Sequence, residues 1–406
     1  MKANMDQEEL SEEHANAIKT AFKIGGLRKL HEYLDSENNK WKTIPLNIAV
    51  TGNSGVGKSC FINAFRNVKR GEELFAEEDV VETTKEPTPY QHPQHPNFVF
   101  WDLPGVGTGA FPKMEYLKKV KFEKYDFFLI LSSQRFTEND HWLAKEVTKA
   151  KKRFFFVRTQ IDVDVMKRND LKETEVVEKV RDDCLKKLKA DGFCEVESKL
   201  FLINNKKSTT YDFDKLTTRL IETFPAEKRE ALVLSLTVLT KDVIKAKQTA
   251  LQKRIFLYAI ASAAGAAVPV PGIGVAVDIG ILFGAATDFK KQFGLDDQTM
   301  ENNALALDTT VELLKKKLEL KSFIISASVK SVTGLCASVA ISKGTENVVK
   351  FAVPILGSVI AAGLSYAVCV GCLTSLLRAI SEDAHTLNEQ MMEMLSQSPS
   401  ISDAFE

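Results

Sequence analysis

The chain has 406 residues, too many for one ordinary hydrophobic core, which predicts two domains and an accessory segment. Lysine and arginine together number 54, as do aspartate and glutamate, so no bulk field recruits a polyanion and no nucleic-acid partner is expected. The six cysteines are scattered through helical or apolar stretches, as in a reducing compartment, and the acidic start lacks a signal-peptide core, so a cytoplasmic protein is expected. Lys2 excludes the glycine-dependent myristoylation signal, and Asp403-Ala404-Phe405-Glu406 carries no prenylation cysteine.

Along 8–34, Ile18, Phe22, Leu27, Leu30 and Leu34 recur at helical spacing around a Gly25-Gly26 break, which predicts two short amphipathic helices in need of a covering face. Short apolar runs then follow at 46–50, 97–101, 127–131, 154–157 and 200–203, with helical stretches at 58–66, 139–151 and 171–189 between several of them. That alternation predicts a doubly wound α/β domain with a mostly parallel sheet. Residues 72–96, rich in Glu, Thr, Pro and His, have no clean period and read as a long mobile loop at the ligand edge. His92 and His95 within it read as a loop entering a strand, since no cysteine or carboxylate at useful spacing completes a metal site. Beyond Tyr211 the periodicity is helical only, and the boundaries expected are 1–40, 41–225 and 226–406.

Gly52-Asn53-Ser54-Gly55-Val56-Gly57-Lys58-Ser59 fits G-x-x-x-x-G-K-S between a strand and a helix, and with Cys60 beside it forms the candidate nucleotide site. Glycines let the backbone curl so that its N–H groups face phosphate oxygens. Lys58 would bridge the β- and γ-phosphates, and Ser59 would offer its hydroxyl to Mg²⁺. Asp102, closing the second strand, can hold Mg²⁺ through a water, and Gly105 can donate its N–H to a γ-phosphate. Asp102-Leu103-Pro104-Gly105 is similar to the third signature of regulatory GTPases.

By the same resemblance, Thr159-Gln160-Ile161-Asp162 follows a later strand as the base-reading signature. The Asp162 carboxylate accepts from the guanine N1–H and exocyclic amine together, donors adenine does not pair, and Thr159 braces the loop. Gln160 departs from the family's Lys, which weakens the expectation for affinity more than for base choice. Asn204 and Asn205, after the last strand, are the candidates for the guanine O6 contact.

Phosphoryl transfer needs a positioned water, a metal and charges around the γ-phosphate. Many regulatory GTPases carry Gln after the DxxG glycine; the Val106 side chain here cannot hydrogen-bond, so slow intrinsic hydrolysis completed by a second molecule is expected. Thr84, or its neighbour Thr83, is the candidate for Mg²⁺ and the γ-phosphate, and Glu82 for orienting water or acting across a dimer. From 255 to 286 the only charge is Asp278, and 351–377 has none. Pro269, Pro271, Gly272 and Gly274 break the first run into two helices joined by a turn. The small residues of the second suit close helix contacts, so a buried helical core and contact with a membrane both remain open.

The ensemble resembles the immunity-related GTPase family, the interferon-inducible p47 class. The resemblance rests on the phosphate loop with Phe61-Ile62-Asn63, on Val80-Val81-Glu82-Thr83-Thr84 and on Phe100-Trp101-Asp102-Leu103-Pro104-Gly105. It continues through Val157-Arg158-Thr159, Tyr211-Asp212-Phe213, Phe293-Gly294-Leu295-Asp296 and Pro354-Ile355-Leu356-Gly357-Ser358. It implies a GTPase domain (41–225) with an N-terminal helical segment and a C-terminal all-α domain, using Mg²⁺ with bound GTP or GDP. It further implies GTP-dependent self-assembly and peripheral association with the endoplasmic reticulum, the Golgi or a pathogen-containing vacuole, in cell-autonomous defence. No small-molecule substrate beyond GTP is expected. The rival reading is a nucleotide-gated membrane scaffold with negligible hydrolysis, which Val106 and Gln160 both permit.

Overall fold

The computed structural model describes residues 2–78, 86–107, 111–207, 210–237, 240–266, 273–326, 328–342 and 366–397. They form two compact units, one spanning Trp41–Val238 and the other combining Met1–Lys40 with Leu239–Glu406. The chain opens with α1 (Lys2–Asn39), whose helical geometry fails at Gly25 and Gly26, the break expected from the glycine pair.

The unit 41–238 is built on a 6-stranded sheet in the order β2-β3-β1-β4-β5-β6. Its strands are β1 (Leu46–Thr51), β2 (Thr88–His92), β3 (His95–Asp102), β4 (Phe127–Ser132), β5 (Arg153–Arg158) and β6 (Leu200–Leu202). All neighbours run parallel except β2 and β3, which form an antiparallel hairpin. Every residue of β4 is buried, as a strand covered on both faces requires, and its unbroken apolar run follows from that. The helices of this unit are α2 (Lys58–Arg66), α3 (Lys113–Lys119), α4 (Glu138–Lys149), α5 (Ile161–Met166), α6 (Glu173–Ala190), α7 (Phe213–Thr223) and α8 (Ala226–Ser235). α8 packs on β1 and β3, and its Lys228 ammonium reaches an Asp126 carboxylate oxygen at 2.9 Å.

One expectation is corrected here: part of the stretch 72–96 is strand, not loop. Residues Thr88–His92 pair with β3 at the sheet edge, where only one side of the backbone needs partners and Pro89 is tolerated. No apolar alternation announces such a strand. His92 and His95 sit at the hairpin turn with their rings stacked 5.1 Å apart, against Phe98 and Trp41 respectively, so the pair is buried packing.

The second unit adds α9 (Lys241–Ala266), α10 (Ile273–Gln292), α11 (Asp297–Ala306), α12 (Val311–Lys317), α13 (Lys321–Ile325), α14 (Val329–Ser342) and α15 (Tyr366–Gln397). α9, α10 and α15 pack together, and α9 supplies the face that α1 needs, burying Ile18, Leu30 and Leu34. Asn38 donates to the Tyr258 hydroxyl and that hydroxyl to Asp288, each at 2.7 Å, tying α1 to α9 and α10. Cys369 and Cys372 are fully buried side chains of α15. Among the described residues no helix is long and apolar enough to cross a membrane. The turn expected at Pro269 to Gly272, the segment 351–365 and the phrase beginning at Pro354 lie outside the described residues.

Candidate functional site

The phosphate loop leaves β1 and enters α2 at the carboxyl edge of the parallel strands. At Gly52, with φ of 147°, a Cβ would sit 2.2 Å from the Leu131 carbonyl oxygen of β4, so only glycine lets the loop cross that strand. Gly57 caps α2 in the left-handed region with φ of 84°, and no side chain caps the helix there. The first N–H groups of α2 are therefore left to the loop's concavity, with the positive end of the helix dipole behind them.

Lys58 folds back over the loop, donating to the Gly52 and Asn53 carbonyls at 3.3 and 3.4 Å. Its ammonium lies 3.9 Å from an Asp102 carboxylate oxygen, and both side chains are largely buried. Asp102 is placed there by sheet register: Val50 is its partner on β1, and the next N–H, of Leu103, bonds to the Val50 carbonyl at 2.8 Å. Ser59 and Cys60 stand half-buried in the first turn of α2. Burial, with Glu78 adding to it, pushes the Cys60 thiol up to about 11, so it stays protonated.

Behind Asp102 the chain is held by residues that no motif marks. The Tyr116 hydroxyl of α3, fully buried, donates to the Pro104 carbonyl at 3.0 Å and lies 3.4 Å from the Thr51 hydroxyl. Burial raises its pKa, which keeps it a neutral donor. Asn139 of α4 donates to the Val106 carbonyl at 2.6 Å, while the Val106 side chain packs in the core. The only sequence hint for Asn139 is its place inside the capping box made by Thr137 and Asp140.

The base loops meet the phosphate loop from the other side. Thr159 is fully buried and donates to the Val56 carbonyl at 2.7 Å, with the Ser132 carbonyl also within 3.3 Å. Gln160 takes φ of 56° and its amide donates to the Gly55 carbonyl at 3.0 Å. Asp162 lies half-buried in the first turn of α5. Arg158, 3% exposed, braces the loop from beneath by donating to the Ser133 and Thr159 carbonyls and pairing with Asp164. Its available signal was a lone cation closing the apolar run Phe154 to Val157, within the phrase Val157-Arg158-Thr159.

Asn204 is buried, its side-chain oxygen accepting from the Lys206 N–H at 2.8 Å. Asn205 donates to the Gly57 carbonyl at 3.0 Å, and its own side-chain oxygen is buried without a partner. A Cβ on Gly57 would lie 3.0 Å from the Asn205 amide nitrogen and 4.0 Å from that of Gln160, which places the base-loop residues next to the start of α2. Glu82, Thr83 and Thr84 lie in 79–85, outside the described residues. Gly52 to Cys60, Asp102, Gly105, Thr159, Asp162, Asn204 and Asn205 thus line one edge of the sheet. A loop of inward N–H groups with an ammonium and a carboxylate beside it is equipped to hold a polyphosphate and transfer a phosphoryl group.

Residues 11–354 match the family described as Interferon-inducible GTPase (IIGP). Interferon-gamma-inducible GTPase 10 of Mus musculus is 35% identical over 388 residues, covering 94% of this chain and 90% of that protein. Interferon-inducible GTPase 5 of Rattus norvegicus is 32% identical over 395 residues, covering 95% and 84%. T-cell-specific guanine nucleotide triphosphate-binding protein 2 of Mus musculus is 36% identical over 344 residues, covering 80% and 82%. With the phosphate loop, the DxxG strand end and the base loops on one sheet edge, and with this likeness over nearly its whole length, the chain belongs to the interferon-inducible GTPase family and hydrolyses GTP.

Proposed function

We propose that the chain is a self-assembling GTP switch that acts on intracellular membranes in cell-autonomous innate immunity, with catalysis completed by a second copy. The observation that carries the second copy is Val106. Its side chain is buried in the core and its carbonyl is held by Asn139, so the position after the DxxG glycine offers no side chain to orient water. In this reading Gly52 to Lys58 cradle the phosphates, Gly105 meets the γ-phosphate, Asp162 reads guanine and Thr159 braces its loop. The Asn204-Asn205 loop would meet guanine O6 through its backbone N–H groups, since the Asn205 amide is turned to Gly57.

Ser59 and Asp102 fit Mg²⁺, because a hydroxyl and a carboxylate are the hard oxygen donors it takes, and phosphates and waters supply the rest. Thr84 would contribute from the segment 79–85, and Glu82 is the candidate group acting across the dimer. When bound, the ion neutralises charge on the phosphate oxygens. Peripheral association with the endoplasmic reticulum, the Golgi or a pathogen-containing vacuole is supported by the family alone.

The test is GTP turnover per molecule at several protein concentrations, with Lys58→Ala as the inactive control. A specific rate that climbs with concentration, together with GTP-dependent growth in light scattering, is expected. A rate independent of concentration would sink the second-copy mechanism. Co-sedimentation of the GTP-bound chain with liposomes tests the membrane arm, and failure to sediment at any lipid composition would remove it.

A further inference from the structure

Past the phosphate loop, α2 holds the approach to the stretch 79–85 with two buried side chains, Asn63 and Arg66. Asn63 pairs with Ala76 in both directions: its amide donates to the Ala76 carbonyl at 2.7 Å, and its oxygen accepts the Ala76 N–H at 2.8 Å. The same amide donates to a Glu78 carboxylate oxygen at 3.1 Å. Arg66 sends one arm to the Leu74 carbonyl and the other to the Gln91 carbonyl of β2, both at 2.9 Å. It also donates to the Ile62 carbonyl and to the Asn63 oxygen. One guanidinium thus links residues that precede 79–85 to the strand that follows it.

Packing alone does not account for this arrangement. A buried charge is costly unless an opposite charge answers it, and among the described residues Arg66 meets backbone carbonyls and an amide oxygen in place of a carboxylate. What a guanidinium has that an apolar side chain lacks is a planar fork of donors, able to hold two distant carbonyls at once. The helix fixes where that fork acts. Ser59 and Asn63 are one turn apart on α2 and share a face. The bond from Asn63 to Glu78 therefore starts the stretch 79–85 one turn from the hydroxyl read as an Mg²⁺ ligand. Without these two side chains, the chain is next held to α2 at Val68, whose N–H bonds to the Asn63 carbonyl. The free length up to β2 then roughly doubles, which lowers the population at any one point about threefold.

We propose that Asn63 and Arg66 are positioning residues for GTP hydrolysis, fastening residues 74–78 and β2 to the helix that begins at the phosphate loop. Both act through the stretch 79–85 and touch no nucleotide. The proposal rests on the reading of Glu82 and Thr84 as groups that serve the γ-phosphate.

Asn63→Asp is the decisive variant. It gives Arg66 a carboxylate, which keeps the fold, but it turns the donor to Ala76 and Glu78 into an acceptor that repels Glu78. GTP turnover should fall about tenfold for the lost hydrogen bond and the added repulsion, while GDP affinity stays within about twofold of the parent. Adding Glu78→Gln returns a donor to the pair and should bring turnover back to within about threefold of the parent. Arg66→Lys, which keeps the charge without the fork, should also lose turnover. The tryptophan-fluorescence unfolding midpoint shows whether the unit is intact in each variant. Hydrogen exchange over residues 75–90, with GDP or the non-hydrolysable analogue GMPPNP bound, gives a readout besides activity. The parent should exchange more slowly with GMPPNP, and Asn63→Asp should lose that difference. A parent with equal exchange in both nucleotides would remove the reading of Glu82 and Thr84, and the proposal with it. A difference that persists in Asn63→Asp, turnover unchanged in both single variants, or a loss that Glu78→Gln does not reduce would overturn the fastening alone.

Discussion

Tyr116→Phe isolates a single hydroxyl behind the DxxG turn. The ring, fully buried among Phe111, Trp142 and their neighbours, keeps its volume, while the Pro104 carbonyl loses its donor. A neutral hydrogen bond contributes about 1 kcal/mol net, and stranding a buried acceptor costs about 1–3 kcal/mol. The longer 3.4 Å approach to Thr51 adds little, so a loss of about 2 kcal/mol is expected. With a urea slope of about 2 kcal/mol per molar, the unfolding midpoint should fall by about 1 M.

All three tryptophans, Trp41, Trp101 and Trp142, lie within Trp41–Val238, so tryptophan fluorescence follows that unit alone. Since burial raises the pKa of the phenol, the shift should be the same at about pH 6 and about pH 9. GTP turnover should fall while GDP affinity stays within about twofold, because the hydroxyl holds the segment carrying Gly105 and does not touch nucleotide. A midpoint within about 0.2 M of the parent would refute the assignment of this hydroxyl as the hold on Pro104.

Asp162→Asn should exchange guanine for xanthine, since an amide can donate to the xanthine 2-oxygen where the carboxylate accepted from the guanine amine; competition between GDP and XDP reads it, and an unchanged preference refutes the role of Asp162. Lys247 on α9 is 3% exposed, donates to the Gln292 carbonyl at 2.7 Å and is pulled by burial from 10.5 down to about 7. Its folded pKa lies below its unfolded one, so between the two values the unfolded chain binds more protons and the helical unit gains stability as pH rises. Lys247→Met should flatten that slope in circular-dichroism unfolding, and a slope equal to the parent's would show that Lys247 is not its source.

Much of the fold was legible because its signals are local. The apolar runs at 127–131 and 154–157 lie within β4 and β5, where burial on both faces leaves no polar position to break the pattern. The hairpin strand β2 was missed because an edge strand with an antiparallel partner needs neither an apolar run nor a donor at Pro89. Tyr116 and Asn139 escaped for another reason: each acts on a backbone carbonyl, and a carbonyl has no residue type to match.

The sequence by itself determined the phosphate loop, the acid closing β3 and the doubly wound sheet, since contiguous residues, unbroken apolar runs and a 3.6-residue period specify them. Only the tertiary structure decided which distant side chains meet that loop. Asn205 and Gly57 are 148 residues apart, and Thr159 and Val56 are 103 apart. What joins them is the stacking of β1, β4, β5 and β6 in one sheet, which delivers the loops after those strands to a common edge.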